Sequence, residues 1–433
     1  MLKENKILSI TPAKYLQGEV SLPGDKSISH RAIILASVAE GTSVIKGIQR
    51  GRDCLATLNI LRMMGVEAKE KGDDLVIYGK GGVGLKEPRD ILDCENSGTT
   101  MRLLAGLLSA QNFYSVLTGD SSLRKRPMGR VIEPLKRMGA QIFARGKGRF
   151  PPLSIIGTRL QGIDYSSPIP SAQVKTCLLL AGLYAKGNTS VTEKYRSRDH
   201  TERMLKFLGA DIEVNDLRVR IKGGTSLSGK KIWVPGDISA AAFFIGGAVI
   251  LKGSKIKVLN VGLNPTRRGF IDALLQMGAD IKILNLRKKC GEEIGDIEVQ
   301  GRNDLKGTLI EGEMIPRLID EIPMLAVVAS LARGQTLIKD AGELRVKEAD
   351  RIKAMGVELE KMGAQIKERK DGMAIEGVKE LRGAQCNSWR DHRVAMALAI
   401  ASLCARGKTK ILDPECIRTS FPDFEETLKE VIT

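Results

Sequence analysis

The sequence predicts an α/β protein of two similar domains, each built from three repeats of about 70 residues. Two patterns along the chain lead to this prediction. The first is an amphipathic helix that ends at a glycine and runs into a short strand, and it occurs five times, at Gly65, Gly139, Gly209, Gly278 and Gly363. The second is a helix that opens with small polar residues and then becomes almost wholly apolar. It occurs six times, with approximate starts at Ser27, Ser97, Ser171, Ser239, Asp320 and Asp391.

Each repeat combines one helix of each kind with strands. The five glycines mark helix ends, because glycine adopts a left-handed conformation at a helix C-terminus without strain. A helix that is apolar all round must be buried, so three of them can pack together as the interior of one domain. The short segments between the helices, such as DDLVIYG, DLRVRIKG and GMAIEG, predict strands that cover this interior.

Two domains that share six repeats in this way require the chain to cross between them twice. Two similar segments, LPGD at 22–25 and VPGD at 234–237, stand at suitable places. We therefore expect one domain at 22–235 and the other at 1–21 plus 236–433. The 433 residues give each domain enough length to bury its own core.

The net charge of +17 and the pI near 9.5 suggest an anionic partner. Charge alone does not distinguish nucleic acid, a membrane surface and acidic metabolites. The aromatic residues available for base stacking are few (9 Phe, 6 Tyr and 2 Trp), which disfavours nucleic acid. A basic protein that binds anions or nucleic acid, without catalysis, stays as the alternative from a different class.

The sequence argues against a metal site, a dinucleotide-binding loop and secretion. The seven cysteines include no Cys-x-x-Cys pair, and the three histidines have no metal-ligand spacing. The G-x-G-x-x-G match at 79–84 follows a predicted strand without opening a helix, so it predicts a turn. The first 20 residues hold no apolar core, and no long apolar stretch follows. We expect a cytoplasmic protein with no cofactor and no metal.

Candidate functional residues gather at the starts of the apolar helices. The first turn of a helix carries unpaired N–H groups and the positive end of the helix dipole, which attract phosphate or carboxylate by about 0.3–2 kcal/mol. The polar residues there combine cations that bind anions with acids that can move protons. They are Lys26, Ser27, Arg31, Asn96, Arg102, Ser171, Gln173, Asp320, Glu321, His392 and Arg393, joined by Arg126 in LRKRPMGR and by Lys347, Glu348 and Arg351 in RVKEADR.

Three of these segments have plainer alternatives. RVKEADR also fits an exposed helical face with ion pairs three and four residues apart. LRKRP also fits a solvated run of charge, and His392 also fits a residue that merely follows an N-cap.

Seven segments, in order and over nearly the whole chain, carry a resemblance to a known family. They are LPGDKSISHRAIILASVAEG, NSGTTMRLL, RPMGRVIEPL, SAQVK, VKEADRI, WRDHRVAMA and SFPDFEETL. Together they resemble the 5-enolpyruvylshikimate-3-phosphate synthases, which are enolpyruvyl transferases. The resemblance implies two pseudo-symmetric domains, each of three βαβαββ units with buried parallel helices, in an inside-out α/β barrel. This architecture agrees with the sixfold repeat.

The resemblance also implies an activity in aromatic amino-acid (chorismate) biosynthesis. The 5-hydroxyl of shikimate 3-phosphate adds to C2 of phosphoenolpyruvate while C3 gains a proton, and the tetrahedral intermediate then expels phosphate. The reaction is expected in a cleft between the two domains.

The family motifs assign roles to particular residues of this chain. Asp320 resembles the base near the 5-hydroxyl and Glu348 the proton donor to C3, with Lys26 and Lys347 completing the catalytic set. The residues implied to bind shikimate 3-phosphate are Ser27, Arg31, Ser171, Gln173, Ser197, Asp320 and Lys347. Those implied to bind phosphoenolpyruvate are Lys26, Gly98, Arg126, Arg351 and Arg393, and the wider binding set adds Asn96, Ala172 and His392.

The chain departs from the common family pattern at four places. Ser97 and Leu103 stand where many members have Ala and Pro, His30 replaces a common Asn, and Ala172 replaces a Ser. Arg418 and Thr419 precede SFPDF where some members use a Lys on phosphate. The contribution of this last segment therefore stays open.

The nearest rival activity is UDP-N-acetylglucosamine enolpyruvyl transfer, which uses a reactive cysteine in a loop. The region 120–130 contains no cysteine. RNA 3′-phosphate cyclase is a weaker match. We expect a monomer that acts on two small molecules and binds neither nucleic acid nor membrane.

Overall fold

The computed structural model describes residues 7–302 and 304–433. The helices are α1 Lys26–Val38, α2 Arg52–Met63, α3 Gly98–Ser109, α4 Gly129–Arg137, α5 Arg145–Gly148, α6 Ala172–Gly182, α7 His200–Leu208, α8 Ile238–Ile250, α9 Gly269–Gln276, α10 Met314–Leu318, α11 Ile322–Leu331, α12 Arg351–Lys361, α13 His392–Leu403 and α14 Phe424–Val431. Short 3₁₀ helices span Leu123–Lys125, Gly342–Val346 and Pro414–Thr419.

The strands alternate with these helices along the chain. They are β1 Ile7–Ile10, β2 Gln17–Val20, β3 Thr42–Lys46, β4 Glu67–Lys71, β5 Asp74–Tyr78, β6 Leu92–Asp93, β7 Tyr114–Thr118, β8 Gln141–Ala144, β9 Phe150–Ile156, β10 Asp164–Ser166, β11 Asn188–Thr192, β12 Ile212–Asn215, β13 Arg218–Lys222, β14 Lys231–Trp233, β15 Lys255–Gly262, β16 Asp280–Lys289, β17 Glu292–Gln300, β18 Leu309–Ile310, β19 Gln335–Ile338, β20 Gln365–Arg369, β21 Gly372–Glu376, β22 Leu381–Arg382, β23 Gln385–Asn387, β24 Ala405–Arg406 and β25 Thr409–Leu412.

Contacts within the chain divide it into two compact units. The first unit is Gly24–Val234 together with Lys289–Glu292, and the second is Met1–Pro23, Pro235–Lys288 and Glu293–Thr433. The turn between β16 and β17 is thus grouped with the first unit, which the sequence did not indicate. Residues 1–6, at the start of the predicted segment 1–21, lie outside the described residues.

Several sheets share one strand order, and this order is a βαβαββ repeat. In the sheet β6-β7-β9-β8, β6 lies parallel to β7, and β9 lies antiparallel to both β7 and β8. Helix α3 connects β6 to β7, and α4 connects β7 to β8. The sheets β10-β11-β13-β12 and β18-β19-β21-β20 have the same pattern. The predicted α/β class with repeated βαβαββ units is confirmed.

Two sheets take their parallel edge strand from a distant part of the chain. β14 lies parallel to β3, with Trp233 opposite Lys46. β2 lies parallel to β15, with Val20 opposite Val258. The strand before each predicted crossing therefore completes a repeat whose other strands lie far away in sequence.

The glycines predicted to end helices all adopt the left-handed conformation. Their φ angles are 85° at Gly65, 95° at Gly139, 103° at Gly209, 95° at Gly278 and 90° at Gly363. Other residues are strained at such angles. The predicted helix ends are confirmed.

The polar starts of the apolar helices supply their N-caps. Ser97, Ser171 and Asp391 cap α3, α6 and α13, and each side chain accepts a hydrogen bond from an N–H group of the first turn. Such a cap is worth about 1 kcal/mol. The N-caps of α1, α8 and α11 are Asp25, Asp237 and Glu321, one or two residues from the approximate starts.

The C-terminal motif SFPDF contributes to the core of the second unit. The rings of Phe421 and Phe424 lie 5.7 Å apart, and both pack on Phe244 of α8, at 6.0 and 5.9 Å. Each such aromatic pair adds about 0.5–1.5 kcal/mol beyond the burial of its apolar surface. These two phenylalanines therefore have a packing role. Among the described residues, the longest apolar helices fall short of what a membrane crossing requires.

Candidate active site

The predicted site residues fall into two groups, one in each unit. The first unit holds the cation-rich group, which comprises Lys26, Ser27, Arg31, Asn96, Gly98, Arg126, Ser171, Ala172, Gln173 and Ser197. The second unit holds the carboxylate group, which comprises Asp320, Lys347, Glu348, Arg351, His392 and Arg393.

The start of α1 presents Lys26 and Arg31. The ammonium of Lys26 pairs with Asp53 at 3.0 Å and keeps 16% of its side chain exposed. The guanidinium of Arg31 is buried, and it donates to the hydroxyls of Thr201 at 2.7 Å and Thr176 at 2.8 Å. Its third nitrogen donates to the carbonyl of Ser27 at 2.9 Å. These bonds fix Arg31 beside the first turn of α1.

The start of α3 lies between two arginines. A Cβ atom built on Gly98 would lie 2.8 Å from Nη1 of Arg102 and 3.4 Å from Nη1 of Arg126. Any larger residue at position 98 would therefore press on these guanidinium groups. Glycine thus lets both guanidinium groups lie close to the start of the helix, where two cations and the helix dipole all favour an anion.

Amide side chains orient both of these arginines. Nη2 of Arg126 donates to Oδ1 of Asn96 at 2.6 Å, and Nη1 of Arg102 donates to Oε1 of Gln173 at 2.7 Å. The side chain of Arg126 is buried, so the alternative that LRKRP is a solvated run of charge is wrong for this residue. Arg102 belonged to the candidate helix starts but not to the implied binding set, and the structure places it beside that set.

The start of α6 brings together Ser171, Ala172 and Gln173. Ser171 is the N-cap, Ala172 is the first helical residue, and Nε2 of Gln173 donates to Thr99 at 2.9 Å. Ser197 lies in the segment that leads into α7, and it is only 3% exposed. Within the described residues its hydroxyl has no hydrogen-bond partner. A buried hydroxyl in this condition is able to bond a ligand.

Two departures from the family pattern, His30 and Ser97, are joined by buried hydroxyls. Nδ1 of His30 lies 2.7 Å from the hydroxyl of Thr57, which lies 2.7 Å from that of Thr100. The Thr100 hydroxyl donates to Oγ of Ser97 at 2.7 Å. Burial, with the nearby charge of Lys26, holds the pKa of His30 well below its ordinary value. The imidazole is therefore neutral at pH 7, and the chain of bonds braces the starts of α1 and α3.

The carboxylate group centres on Asp320, just before α11. Its Oδ1 lies 3.3 Å from the ammonium of Lys347 and 3.1 Å from Nη1 of Arg351. Its backbone carbonyl accepts a bond from Arg393 at 3.1 Å. Three cations thus surround one carboxylate. They hold its orientation and favour its ionised form, which is the form a base requires.

Arg351 is buried among three carboxylates. Its nitrogens bond Asp391 at 2.8 Å, Asp320 at 3.1 Å and Glu348 at 2.7 Å, and 1% of its side chain is exposed. Burial alone would lower the pKa of Arg351, but these carboxylates raise it far above its ordinary value. The alternative that RVKEADR is an exposed helical face is therefore wrong for Arg351. His392, the first residue of α13, is also buried.

A buried ion pair behind Asp320 was missed by the sequence reasoning. Arg267 is 2% exposed, donates to Ser239 at 2.7 Å, and lies 3.6 Å from Glu321. Glu321 also accepts a short hydrogen bond from Ser239 and lies 3.7 Å from Arg393. Arg267 lies in NPTRRGF, outside both repeated patterns, so only the structure could reveal it.

The remaining candidate segment contributes less. Arg418 and Thr419 lie in the 3₁₀ helix Pro414–Thr419, where the Arg418 side chain is exposed. Within the described residues, no set of three or more His, Cys, Asp or Glu side chains is placed to hold a metal ion.

The family model for EPSP synthase (3-phosphoshikimate 1-carboxyvinyltransferase) matches residues 10–428 of this chain. The chain belongs to the EPSP synthase family. A 3-phosphoshikimate 1-carboxyvinyltransferase of Geotalea uraniireducens is 53% identical over 424 residues, which cover 98% of this chain and 99% of that protein. The one from Alkaliphilus metalliredigens is 52% identical over 432 residues, which cover 100% of each.

A solved EPSP synthase structure from Acinetobacter baumannii matches with a TM-score of 0.88 and 46% sequence identity, and the match covers 98% of each chain. The predicted family, fold class and enzyme class are therefore confirmed. The family's activity is enolpyruvyl transfer from phosphoenolpyruvate to shikimate 3-phosphate, a step of aromatic amino-acid biosynthesis, and this predicted function is confirmed as well.

Proposed function

We propose that the cation-rich group, together with Arg351 and Arg393, binds the anionic parts of both substrates and that Asp320 and Glu348 move the protons of the EPSP synthase reaction. The observation that carries this proposal is the start of α3. There Gly98, which has no side chain, allows the guanidinium groups of Arg102 and Arg126 to lie close to the first turn of the helix. Arginine forks match carboxylate and phosphate in geometry as well as in charge.

Phosphoenolpyruvate is assigned to Lys26, Gly98, Arg126, Arg351 and Arg393. The first three line the starts of α1 and α3 or lie close to them, where helix dipoles add to the positive charge. Arg351 already bonds three carboxylates, so a substrate carboxylate would have to replace one of them. Glu348, with 22% of its side chain exposed, is the partner most easily displaced.

Shikimate 3-phosphate is assigned to Ser27, Arg31, Ser171, Gln173 and Ser197 in the first unit and to Asp320 and Lys347 in the second. The unbonded hydroxyl of Ser197 supports a phosphate contact, since a phosphate oxygen would satisfy it. Ala172 and Asn96 contribute through position: Ala172 offers a first-turn N–H group, and Asn96 orients Arg126. His392, the first residue of α13, is assigned to the same binding set.

Proton transfer is assigned to Asp320 and Glu348. The 5-hydroxyl oxygen forms a bond to C2 of phosphoenolpyruvate while Asp320 accepts its proton and Glu348 gives a proton to C3. In the second step the methyl group at C3 returns a proton, the C2–O bond to phosphate breaks, and phosphate leaves. Lys347 lies 3.3 Å from Asp320 and stabilises its ionised form, and Lys26 is a further candidate for proton transfer.

The proposal is tested by initial rates of phosphate release with phosphoenolpyruvate and shikimate 3-phosphate, measured beside UDP-N-acetylglucosamine as the rival acceptor. Release should require shikimate 3-phosphate, and Ser197→Ala should weaken its binding. Release that depends on the nucleotide sugar, or Arg126→Ala with unchanged phosphoenolpyruvate use, would contradict it.

Other expectations stay predictions. They are the cleft between domains, the monomeric state, the cytoplasmic location and the absence of nucleic-acid binding. A salt-dependence measurement with a mixed-sequence RNA would test the last of these, since phosphate contacts make such binding steeply salt-dependent.

A further inference from the structure

The proposed function does not account for a buried carboxylate, Glu193, that follows β11. Its side chain is 3% exposed. Oε1 accepts a hydrogen bond from the backbone N–H of Ser171 at 3.1 Å, and Oε2 accepts one from the backbone N–H of Ser197 at 3.2 Å. One carboxylate therefore links two segments, each of which carries a serine assigned to shikimate 3-phosphate.

Lys175, on α6, completes this link. Its ammonium lies 2.7 Å from Oε2 of Glu193 and 3.4 Å from the carbonyl oxygen of Ser197. The side chain is 2% exposed. Burial alone would lower the pKa of Lys175, but the carboxylates of Glu202 and Glu193 raise it above its ordinary value. The ammonium is thus charged, and it holds Ser197 from the carbonyl side while Glu193 holds it from the amide side.

Glu202, on α7, differs from Glu193 in what it contacts. Oε1 lies 2.8 Å from the ammonium of Lys175, and within the described residues Oε2 has no hydrogen-bond partner. No hydrogen bond in this part of the chain joins Glu202 to Ser171 or Ser197. The two buried acids share one lysine, but only Glu193 reaches the serine segments.

Stability alone is a weak explanation for this cluster. Burying ion pairs costs desolvation, and apolar residues of similar volume are often as stabilising or more so. The cluster has two carboxylates for one ammonium, and one oxygen of Glu202 has no hydrogen-bond partner within the described residues. Both features make burial of the cluster still less favourable for stability. What the cluster provides, which apolar packing would not, is a fixed separation between the Ser171 and Ser197 backbones.

We propose that Glu193 and Lys175 are positioning residues that set the two serine segments at the spacing required by the phosphate of shikimate 3-phosphate. This inference rests on the proposed function, because it requires Ser171 and Ser197 to contact that phosphate. Glu193 and Lys175 themselves bond the backbone, and they act through the serines. Binding sites hold their geometry when the contacting groups are fixed by a second layer of bonds.

Glu193→Gln tests the proposal, with Glu202→Gln as the matched control. A glutamine side chain presents one acceptor oxygen and one NH₂ donor, so it cannot accept from both serine N–H groups. We expect calorimetry to show shikimate 3-phosphate binding at least about tenfold weaker in Glu193→Gln. The KM for phosphoenolpyruvate at saturating shikimate 3-phosphate should change less than about threefold. Glu202→Gln, which loses the same charge, should bind shikimate 3-phosphate within about threefold of the parent.

Two further variants keep the outcomes distinct. The triple variant Lys175→Met/Glu193→Gln/Glu202→Gln removes all three charges of the cluster, so no unpaired buried charge remains, and it should show the same selective loss if the single variant folds poorly. Equal losses in Glu193→Gln and Glu202→Gln, or a loss shared equally by both substrates, would overturn the positioning role. If Ser197→Ala weakens shikimate 3-phosphate binding and Glu193→Gln does not, only this inference fails. If Ser171→Ala and Ser197→Ala both bind normally, the proposed serine contacts fail with it.

Discussion

Replacing Glu348 by glutamine should remove most turnover and leave the binding of shikimate 3-phosphate unchanged. Oε2 of Glu348 accepts from Arg351 at 2.7 Å, and a glutamine amide oxygen can keep this bond. The amide has no acidic proton to give to C3. General acids typically contribute about 10²–10⁴-fold to rate, which corresponds to about 2.7–5.4 kcal/mol of barrier. The loss should appear in kcat and in kcat/KM alike, as expected for an interaction made only in the transition state.

The assay compares phosphate release with calorimetric binding of shikimate 3-phosphate. Glu360→Gln is the matched control, because Glu360 is an exposed carboxylate on α12, the helix that follows Glu348, and its turnover should be that of the parent. Near-normal kcat in Glu348→Gln would refute the assignment of the proton donor. A loss confined to shikimate 3-phosphate affinity would place Glu348 among the binding residues and leave the acid unassigned.

Three other perturbations have definite expected outcomes. Asp320→Ala should lower kcat by at least about 10²-fold and also weaken shikimate 3-phosphate binding, since the same carboxylate would serve as base and hydrogen-bond acceptor; turnover and calorimetry check both parts. Arg126→Ala should raise the KM for phosphoenolpyruvate by about 10- to 150-fold, from a charge-assisted contact of about 1.5–3 kcal/mol, while the exposed control Lys125→Ala leaves it unchanged. Burial raises the pKa of Glu202 above the ordinary glutamate value of 4.5, and Lys175 offsets this only in part. The free energy of unfolding should therefore fall as the pH rises above 4.5 and Glu202 ionises. Glu202→Gln should therefore raise the Tm at pH 7–8, and this gain in Tm should disappear near pH 4. Thermal unfolding at both pH values measures it. A gain in Tm that does not depend on pH would contradict the prediction.

The parts of the fold that follow local rules could be predicted from the sequence. A left-handed glycine and a capping side chain act on their own helix, so Gly139, Ser171 and Asp391 fix helix ends without reference to distant residues. The repeat of these signals then gave the number of βαβαββ units. The site residues at the helix starts were found for the same reason, since each lies within a turn or two of a predicted N-terminus.

The buried ionic contacts could not be predicted in this way, because their partners lie far apart in sequence. Arg267 meets Glu321 across 54 positions, and nothing near either residue indicates the other. Lys175 gave a partial signal: a lysine inside the apolar run SAQVKTCLLL has to find an acid if it is buried. The sequence does not say which acid, and Glu193 and Glu202 became candidates only when the fold placed them beside it.

The two groups of site residues hold their arginines by different kinds of acceptor. In the cation-rich group, Arg126 bonds the amide oxygen of Asn96 and Arg102 bonds that of Gln173. An amide oxygen orients a guanidinium without cancelling its charge, so these bonds preserve the attraction for an anionic substrate. In the carboxylate group, Arg351 bonds three acids. Its positive charge compensates the charges of these carboxylates and fixes their positions. A carboxylate at position 96 or 173 would bind its arginine more tightly and would compete with the substrate for it, which explains why amides hold the two arginines at the start of α3.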